Sequence, residues 1–216
     1  MGDFTRLRSW DAGQGKWGHM EDKTVGVIWN PSKIDEDALR AAVDAAFDGD
    51  VRWWATSKED PGKGMAAEAV AEGCDVVIAV GGDGTIRAVA EALAGTDAML
   101  GIVPQGTGNL LARNLDVPLE NIPAALDRIA TGVMREIDLG WVTIDGEERG
   151  FAVMVGFGVD AQMLVETDDD LKDRAGWLAY VEAMGRALAG SEMTSIRLTL
   201  DDEETQELRA HTMLVG

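Results

Sequence analysis

Cysteine, histidine and proline are scarce in this 216-residue sequence, which has one, two and five of them. The lone Cys74 excludes a disulfide framework and is typical of a reducing cytoplasm. His19 and His211 stand far apart without ligand-spaced partners, which argues against a zinc site. No apolar run approaches the roughly 20 residues that span a bilayer, and the first residues lack the apolar block of a signal peptide. We therefore expect a cytoplasmic protein.

Basic residues are also few, since 19 Lys and Arg oppose 39 Asp and Glu for a net charge of −20. Nucleic-acid binding needs basic side chains that displace counterions, so this charge argues against a nucleic-acid partner. It equally disfavours electrostatic adsorption on an anionic membrane. We interpret the acidic excess as a solvated surface.

Strand and helix patterns alternate through the first half of the chain. Short apolar runs at 25–29, 51–55, 76–80 and 99–103 predict strands, and helical spacing of apolar residues predicts helices over 34–47, 62–72, 86–93 and 121–130. The run at 76–80 is apolar throughout, as in strands that are covered on both faces. This alternation predicts an α/β fold with a doubly wound parallel sheet.

The pattern changes after residue 134. Hairpins are predicted at 137–144 with 150–155, around the Asp145-Gly146 turn signal, and at 195–200 with 206–215. A helix is predicted between them, over 170–188. We expect a flexible tail at 1–22, an α/β domain at 23–134, and a β-rich domain at 135–216 that ends in mid-strand and is incomplete.

A glycine-rich loop, Gly81-Gly82-Asp83-Gly84-Thr85, follows the buried strand at 76–80. Open α/β sheets bind ligands at the carboxyl ends of their strands. Glycines let backbone N–H groups approach an anion, and the following helix N-terminus adds unpaired donors. Asp83 would hold Mg²⁺ or water, or orient the loop. A tight turn with Asp83 and Thr85 as helix caps is the simpler alternative, and this stretch alone leaves both open.

Three other strands end in small polar or glycine residues. The next strand is followed by residues 104–109 (PQGTGN), and the first two are followed by Asn30-Pro31-Ser32 and by Thr56. Parallel strands would deliver all four loops to one edge of the sheet. The glycine loop has no lysine after its last glycine, so it is not a P-loop, and it lacks the dinucleotide-binding fingerprint.

Four segments together resemble a known family. They are GGDGT at 81–85, PQGTGN with LLARNL at 104–115, REIDLG at 135–140 and GFGVDA at 156–161. They are similar to the diacylglycerol kinase catalytic fold of soluble bacterial lipid kinases, which is related to sphingosine and ceramide kinases. The resemblance covers residues 24–216. NAD kinases and phosphofructokinases share loops like GGDGT, whereas the PxGTxN segment is more specific.

The resemblance implies that ATP binds between an α/β domain and a β-sandwich domain and passes its γ-phosphoryl group to a lipid hydroxyl. It implies a lipid alcohol substrate, most simply diacylglycerol, transient contact with the inner membrane face, and Mg²⁺. A homodimer is left open. The implied catalytic residues are Asp83, Asp138 and Asp160; the implied nucleotide contacts are Asn30, Ser32, Thr56, Gly81, Gly82, Asp83, Gly84, Thr85 and Thr107; the implied metal ligand is Asp83.

The sequence departs from the family pattern at three places. Lys33-Ile34 stand where a glycine is common, Arg87-Ala88 where many members carry Asn-Glu, and Leu110 where many carry Asp. The family's general base, the carboxylate of an Asp-Gly pair, is expected beyond residue 216. A nucleotide- or lipid-binding module without turnover, or an inactive fragment of such a kinase, is therefore the alternative to a lipid kinase.

Overall fold

The computed structural model describes residues 5–11, 23–119, 121–158, 193–199 and 204–216. The strands in these segments are β1 (Thr5–Asp11), β2 (Val25–Trp29), β3 (Val51–Ala55), β4 (Val76–Gly81), β5 (Met99–Pro104), β6 (Val133–Ile144), β7 (Glu147–Phe151), β8 (Val155–Gly158), β9 (Thr194–Leu198), β10 (Gln206–Ala210) and β11 (Thr212–Val215). The helices are α1 (Glu36–Ala46), α2 (Lys63–Ala71), α3 (Asp83–Leu93), α4 (Leu110–Asn114) and α5 (Ile122–Thr131).

Four parallel strands carry the predicted α/β architecture. The seven-stranded sheet has the order β3-β2-β4-β5-β1-β6-β7, and β2 pairs in parallel with both β3 and β4. From β2 the chain passes to β3 on one side and then to β4 on the other, so the strand order reverses at β2 and β4. A crevice at such a switch point is where open α/β sheets bind ligands. The α/β prediction is confirmed.

The central strands are buried on both faces, as their continuous apolar sequences predict. Every residue of β2, β4 and β5 is buried. Helix α5 packs so closely on the sheet that a Cβ on Gly101 would lie 3.0 Å from Ile129 Cδ1 and 3.1 Å from Ile78 Cγ1. A larger residue at 101 would therefore require these isoleucine side chains to shift.

Side-chain caps begin two of the helices. The carboxylate of Asp35 accepts from the Ala38 amide at 3.0 Å and starts α1. The side chain of Asn121 accepts from the Ala124 amide at 3.0 Å, as predicted for α5. Such caps satisfy amides that have no intrahelical partner. The short helix α4 has no counterpart among the predicted helices.

Residues 5–11 form a strand, which corrects the prediction of a flexible tail for this part of the chain. In β1, Arg8 faces Met99 of β5 in a parallel pairing, and all seven residues pair with β6 in antiparallel register. Leu7 is fully buried. Insertion of β1 satisfies backbone groups of β5 and β6 that would otherwise form open sheet edges. Residues 12–22 of the predicted tail lie outside the described residues.

The predicted hairpin at the Asp145-Gly146 turn joins β6 to β7. Asp145 has φ 53° and Gly146 has φ 84°, the positive pair that a two-residue type I′ turn needs. The chain divides into two compact units, one over Asp3–Val153 and one that contains Met154–Gly216. The hairpin lies in the first unit because β6 pairs with β1. The division thus falls after Val153 and not at the predicted 134.

In the second unit, β9 pairs with β10 and β8 pairs with β11, both in antiparallel register. The strand predicted over 206–215 is therefore two strands, separated at His211, that pair with different partners. The helix predicted over 170–188 lies outside the described residues. Within the described segments, no helix is both long and apolar enough to span a bilayer.

Candidate functional site

The loops that follow β2, β3, β4 and β5 meet at one edge of the sheet and are joined by backbone hydrogen bonds. The amide of Asn30 donates to the Val80 carbonyl at 3.0 Å, and that of Thr56 donates to the Trp29 carbonyl at 2.8 Å. The Gln105 amide donates to the Gly81 carbonyl at 2.8 Å. The structure thus brings the predicted loop residues together at the switch point.

The glycine loop leads directly into α3. Gly82 is the N-cap, without a side-chain cap, and its carbonyl accepts from the Ile86 amide at 3.0 Å. The amides of the first helical turn, from Asp83 to Thr85, have no intrahelical partner by the geometry of a helix start. A Cβ on Gly81 would lie 2.8 Å from the Cβ and Oγ1 of Thr85. The loop therefore needs glycine where the buried Thr85 folds back over it.

Asp83 links the two glycine loops. One carboxylate oxygen accepts from the Asn109 amide at 2.8 Å, and the other accepts from the Leu110 amide at 2.6 Å. A Cβ on Gly108 would lie 2.8 Å from Asp83 Oδ2, so a larger residue there would crowd the link. Asp83 thus caps the start of α4, whereas the capping alternative had placed Asp83 and Thr85 at the start of α3.

The second loop is shaped by Asn109. Its side chain is buried, accepts from the Gly106 amide at 2.9 Å and donates to the Gly106 carbonyl at 2.6 Å. Asn109 itself is left-handed, with φ 50°. A Cβ on Gly106 would lie 2.6 Å from Gly82 Cα, so the two loops are in direct backbone contact. The surface they form is lined mainly by backbone.

The other predicted contact residues differ in what they expose. The Asn30 carboxamide oxygen accepts from the amide of Ser32 at 2.9 Å and from its hydroxyl at 2.7 Å, so Asn30 holds its own turn. Thr56 is buried, and Ser32 and Thr107 are exposed at the edge. Lys33, whose sequence position departs from the family pattern, is also exposed.

Asp138 does not reach this edge, which corrects its expected place in a network with Asp83. It faces Arg6 of β1, two residues before Arg8, which faces Met99 at the start of β5. Seven residues separate this level of the sheet from Pro104 at the carboxyl end of β5, which at about 3.3 Å per residue is about 23 Å along the sheet. Asp160 lies outside the described residues.

The site has the features of an anion cradle and lacks those of a preformed metal centre. A helix start, two glycine loops and a backbone-lined contact favour phosphate groups. Among the described residues there is no group of three or more His, Cys, Asp or Glu side chains that could hold a metal ion. Both oxygens of Asp83 accept backbone hydrogen bonds, so the geometry supports its role in holding the two loops together.

Sequence reasoning missed one cluster beside the cradle. The carboxylate of Glu91, two turns into α3, is buried and accepts from Lys63 Nζ of α2 and from Arg87 Nη1 at 2.7 Å. The Arg87–Glu91 spacing of four residues is a helix ion-pair signal. Lys63 lies 28 residues away from Glu91 in sequence, so no local pattern could have identified it.

Comparison with known proteins identifies the family. The diacylglycerol kinase catalytic domain model matches residues 25–142. A diacylglycerol kinase of Mycobacterium tuberculosis (strain ATCC 25618 / H37Rv) is 37% identical over 145 residues, which are 65% of this chain and 45% of that protein. A "Probable lipid kinase YegS-like" protein of Xanthomonas campestris pv. campestris (strain 8004) is 38% identical over 165 residues, or 72% of this chain and 52% of that protein. The chain thus spans about half the length of the curated relatives it matches.

Solved structures agree on the fold. A diacylglycerol kinase structure from Bacillus anthracis str. Sterne has a TM-score of 0.63 at 22% identity and covers 90% of this chain and 66% of its own. A second structure from the same strain has a TM-score of 0.67 at 25% identity and covers 90% and 65%. At 22% and 25% sequence identity, this structural similarity supports the fold.

Proposed function

The chain belongs to the diacylglycerol kinase catalytic domain family, and from that premise we propose that it is an ATP-dependent lipid kinase. It would transfer the γ-phosphoryl group of ATP to the hydroxyl of diacylglycerol or a similar lipid. The observation that carries the proposal is the pair of glycine loops in backbone contact at the switch point, where Gly106 meets Gly82. This contact forms a cradle of amides beside a helix start, suited to a polyphosphate.

The residues of this chain would act by binding and positioning. The amides of Gly82 to Gly84 at the start of α3 would hold phosphate oxygens, and Asn30, Ser32, Thr56 and Thr107 would contact the rest of the nucleotide. Phosphoryl transfer relies largely on such positioning and on charge stabilisation.

Bound ATP would supply the phosphoryl group. A bond forms between the lipid oxygen and the γ-phosphorus, the bond to the bridging oxygen of the departing ADP breaks, and the hydroxyl proton passes to a base.

Asp83 would position the loops, because both of its oxygens accept backbone hydrogen bonds, and the lone pairs that its carboxylate keeps would let it also contact a nucleotide-bound Mg²⁺. The described residues offer no preformed metal site. Mg²⁺ commonly keeps several waters and binds through substrate phosphates with one or two carboxylates. A Mg²⁺ ion in this site would accordingly be held by the phosphates of the nucleotide, with Asp83 as the candidate carboxylate ligand, and it would neutralise phosphate charge. We further propose a cytoplasmic location with transient contact at the inner membrane face, where a lipid alcohol is available.

A nucleotide-binding module without turnover is the second candidate. Leu110 stands at the cradle with 44% of its surface exposed, where many family members carry a carboxylate. The Arg87 side chain is paired with Glu91. Leu110 and Ala88, which stand where many family members carry an acidic residue, thus offer no acidic group here. This arrangement preserves the backbone cradle and would support nucleotide binding without phosphoryl transfer.

Calorimetric titration of the chain with Mg-ATP, repeated on Gly82→Val, tests the cradle. A Cβ on Gly82 would lie 3.3 Å from Gly106 Cα, so the branched valine would press the loops apart. Ala67→Val, on the exposed face of α2, adds bulk away from the site as the control. Binding by the wild type and the control that is lost in Gly82→Val supports the cradle. Equal binding by all three proteins would refute it.

Transfer of labelled phosphate from [γ-³²P]ATP to diacylglycerol in mixed micelles then separates the two candidate functions. Labelled phosphatidic acid that is absent with Gly82→Val supports the kinase. Nucleotide binding without labelled lipid, over several lipid alcohols, supports the binding module.

A further inference from the structure

Glu91 is a buried charge whose partners tie two helices together. Its side chain is 4% exposed, and its carboxylate accepts from Lys63 Nζ and Arg87 Nη1. A carboxylate at this depth is costly unless it is paired and hydrogen-bonded. Lys63 and Arg87 supply that pairing from α2 and from the preceding turn of α3. The cluster therefore depends on all three side chains.

Lys63 connects the cluster to the loop between β3 and α2, residues 56–62, which we call the Thr56 loop. It is the first residue of α2, and the loop before it is internally bonded. Ser57 Oγ accepts from the Asp60 amide at 3.1 Å, and the Asp60 carboxylate accepts from the amides of Gly62 at 2.8 Å and Gly64 at 3.0 Å. Because the segment from Ser57 to Gly64 is held as one piece, the position of Lys63 sets the position of the loop.

Glu91 connects the cluster to the glycine loop. It lies in the same helix as Gly82 to Thr85, two turns from the helix start. Helices α2 and α3 touch where a Cβ on Gly62 would lie 3.1 Å from Val89 Cγ2. Beside that contact is a cavity of about 720 Å³, lined in part by Lys63, Arg87, Glu91 and Arg149. On this side the Lys63–Glu91 ion pair links the two helices.

We propose that Glu91 is a positioning residue that holds the Thr56 loop against the glycine loop by way of Lys63. The spacing of these two loops decides whether a nucleotide can touch both at once, so the functional consequence rests on the proposed function. The link itself is a property of the unliganded chain. The two parts are therefore tested separately.

Hydrogen–deuterium exchange of the unliganded chain tests the link. Glu91→Gln removes the charge with little change in volume. We expect about tenfold faster exchange of the bonded amides at 57–64 and of Ile86, whose amide donates to the Gly82 carbonyl and closes the glycine loop, with exchange in β4 unchanged, because the opening is local. Glu36→Gln is the control, since it breaks an exposed ion pair with Arg40 on α1. Unchanged exchange in the two loops, or faster exchange that includes β4, would overturn the proposal.

A double-mutant cycle on Mg-ATP affinity tests the consequence. Glu91→Gln and Lys63→Met should each raise Kd severalfold, and the double variant should be no weaker than the weaker single variant, because both act through one link. Lys63→Arg should restore affinity, since it keeps the ion pair. Additive losses, or affinity unchanged in every variant, would contradict a positioning role. Absence of binding by the wild type would defeat the proposed function, while the exchange result would still decide the link.

Discussion

The sharpest stability prediction concerns Asp83→Asn, which keeps the size of the side chain and removes its charge. The carboxylate accepts from two backbone amides, those of Asn109 at 2.8 Å and Leu110 at 2.6 Å. An asparagine has one acceptor oxygen, and its NH₂ group would face the second amide. One of the hydrogen bonds is therefore lost and the other becomes a neutral one.

The magnitude follows from those two changes. A hydrogen bond to a charged group contributes about 1.5–3 kcal/mol and a neutral one about 1 kcal/mol, and Asp83 is exposed, so the lower values apply. We expect a loss of about 1–2 kcal/mol. For a chain of this length each kcal/mol lowers Tm by about 2–4 °C, which predicts a fall of about 2–8 °C.

Thermal unfolding in EDTA, without nucleotide, measures this effect. Asp44→Asn is the matched control, since Asp44 is exposed on α1 and the substitution makes the same change in net charge. The loop link exists without metal, so Asp83→Asn should be less stable than the control in EDTA. Equal Tm values in EDTA, with a difference that appears only on addition of Mg²⁺, would refute the loop role and favour a metal ligand.

Three further predictions follow from the same structure. Gly106→Ala should lower Tm by several degrees, because its Cβ would lie 2.6 Å from the glycine-loop backbone, whereas Gly84→Ala should not, because its Cβ meets nothing within 4 Å. For Asp75, burial alone would raise the pKa, but hydrogen bonds from a backbone amide and from Lys23 lower it. That stabilisation is present above the unfolded pKa of about 3.9 and is lost as the pH falls through the lower folded pKa. In urea unfolding, Asp75→Asn should therefore be destabilising at pH 7 and converge with the wild type once the pH is below the folded pKa. Burial raises the pKa of the Cys74 thiol, so a thiol reagent at pH 8 should label it at least about tenfold more slowly in the folded chain than in urea; equal rates would contradict its burial.

Local patterns were sufficient for the parallel sheet and most of its helices. The apolar run of β4 indicated a strand covered on both faces because each residue had to be buried wherever it pointed. Asn121 indicated the start of α5 because its capping bond reaches a residue only three positions away. The positive φ values of Asp145 and Gly146 were implied by the turn signal itself. In each case the signal lies within a few consecutive residues of the sequence.

The missed features depend on partners that are distant in sequence. Strand β1 exists because it pairs with β6, and Thr5 faces Leu139 there. The same pairing moved the hairpin into the first unit and placed Asp138 near the wrong end of the sheet for its expected role. The partners of Asp83 are 26 and 27 residues away. A single sequence read by itself does not reveal such pairings, because only the folding of the sheet brings the paired residues together.

The backbone and the side chains of the site have different roles, which explains how the departures from the family pattern can leave the cradle intact. The cradle is made by backbone, and the side chains around it hold that backbone in place. Leu110 fulfils its part by donating its amide to Asp83, which any residue except proline could do. The Arg87 side chain donates to Glu91, one turn further along α3. The departures at Leu110 and Ala88 therefore remove acidic groups without altering the loops, so they would affect phosphoryl transfer more than nucleotide binding. If calorimetry detects Mg-ATP and the transfer assay detects no product, Leu110→Asp is the substitution to test next. Product formation by that variant would assign the missing chemistry to this position, and continued inactivity would assign it elsewhere.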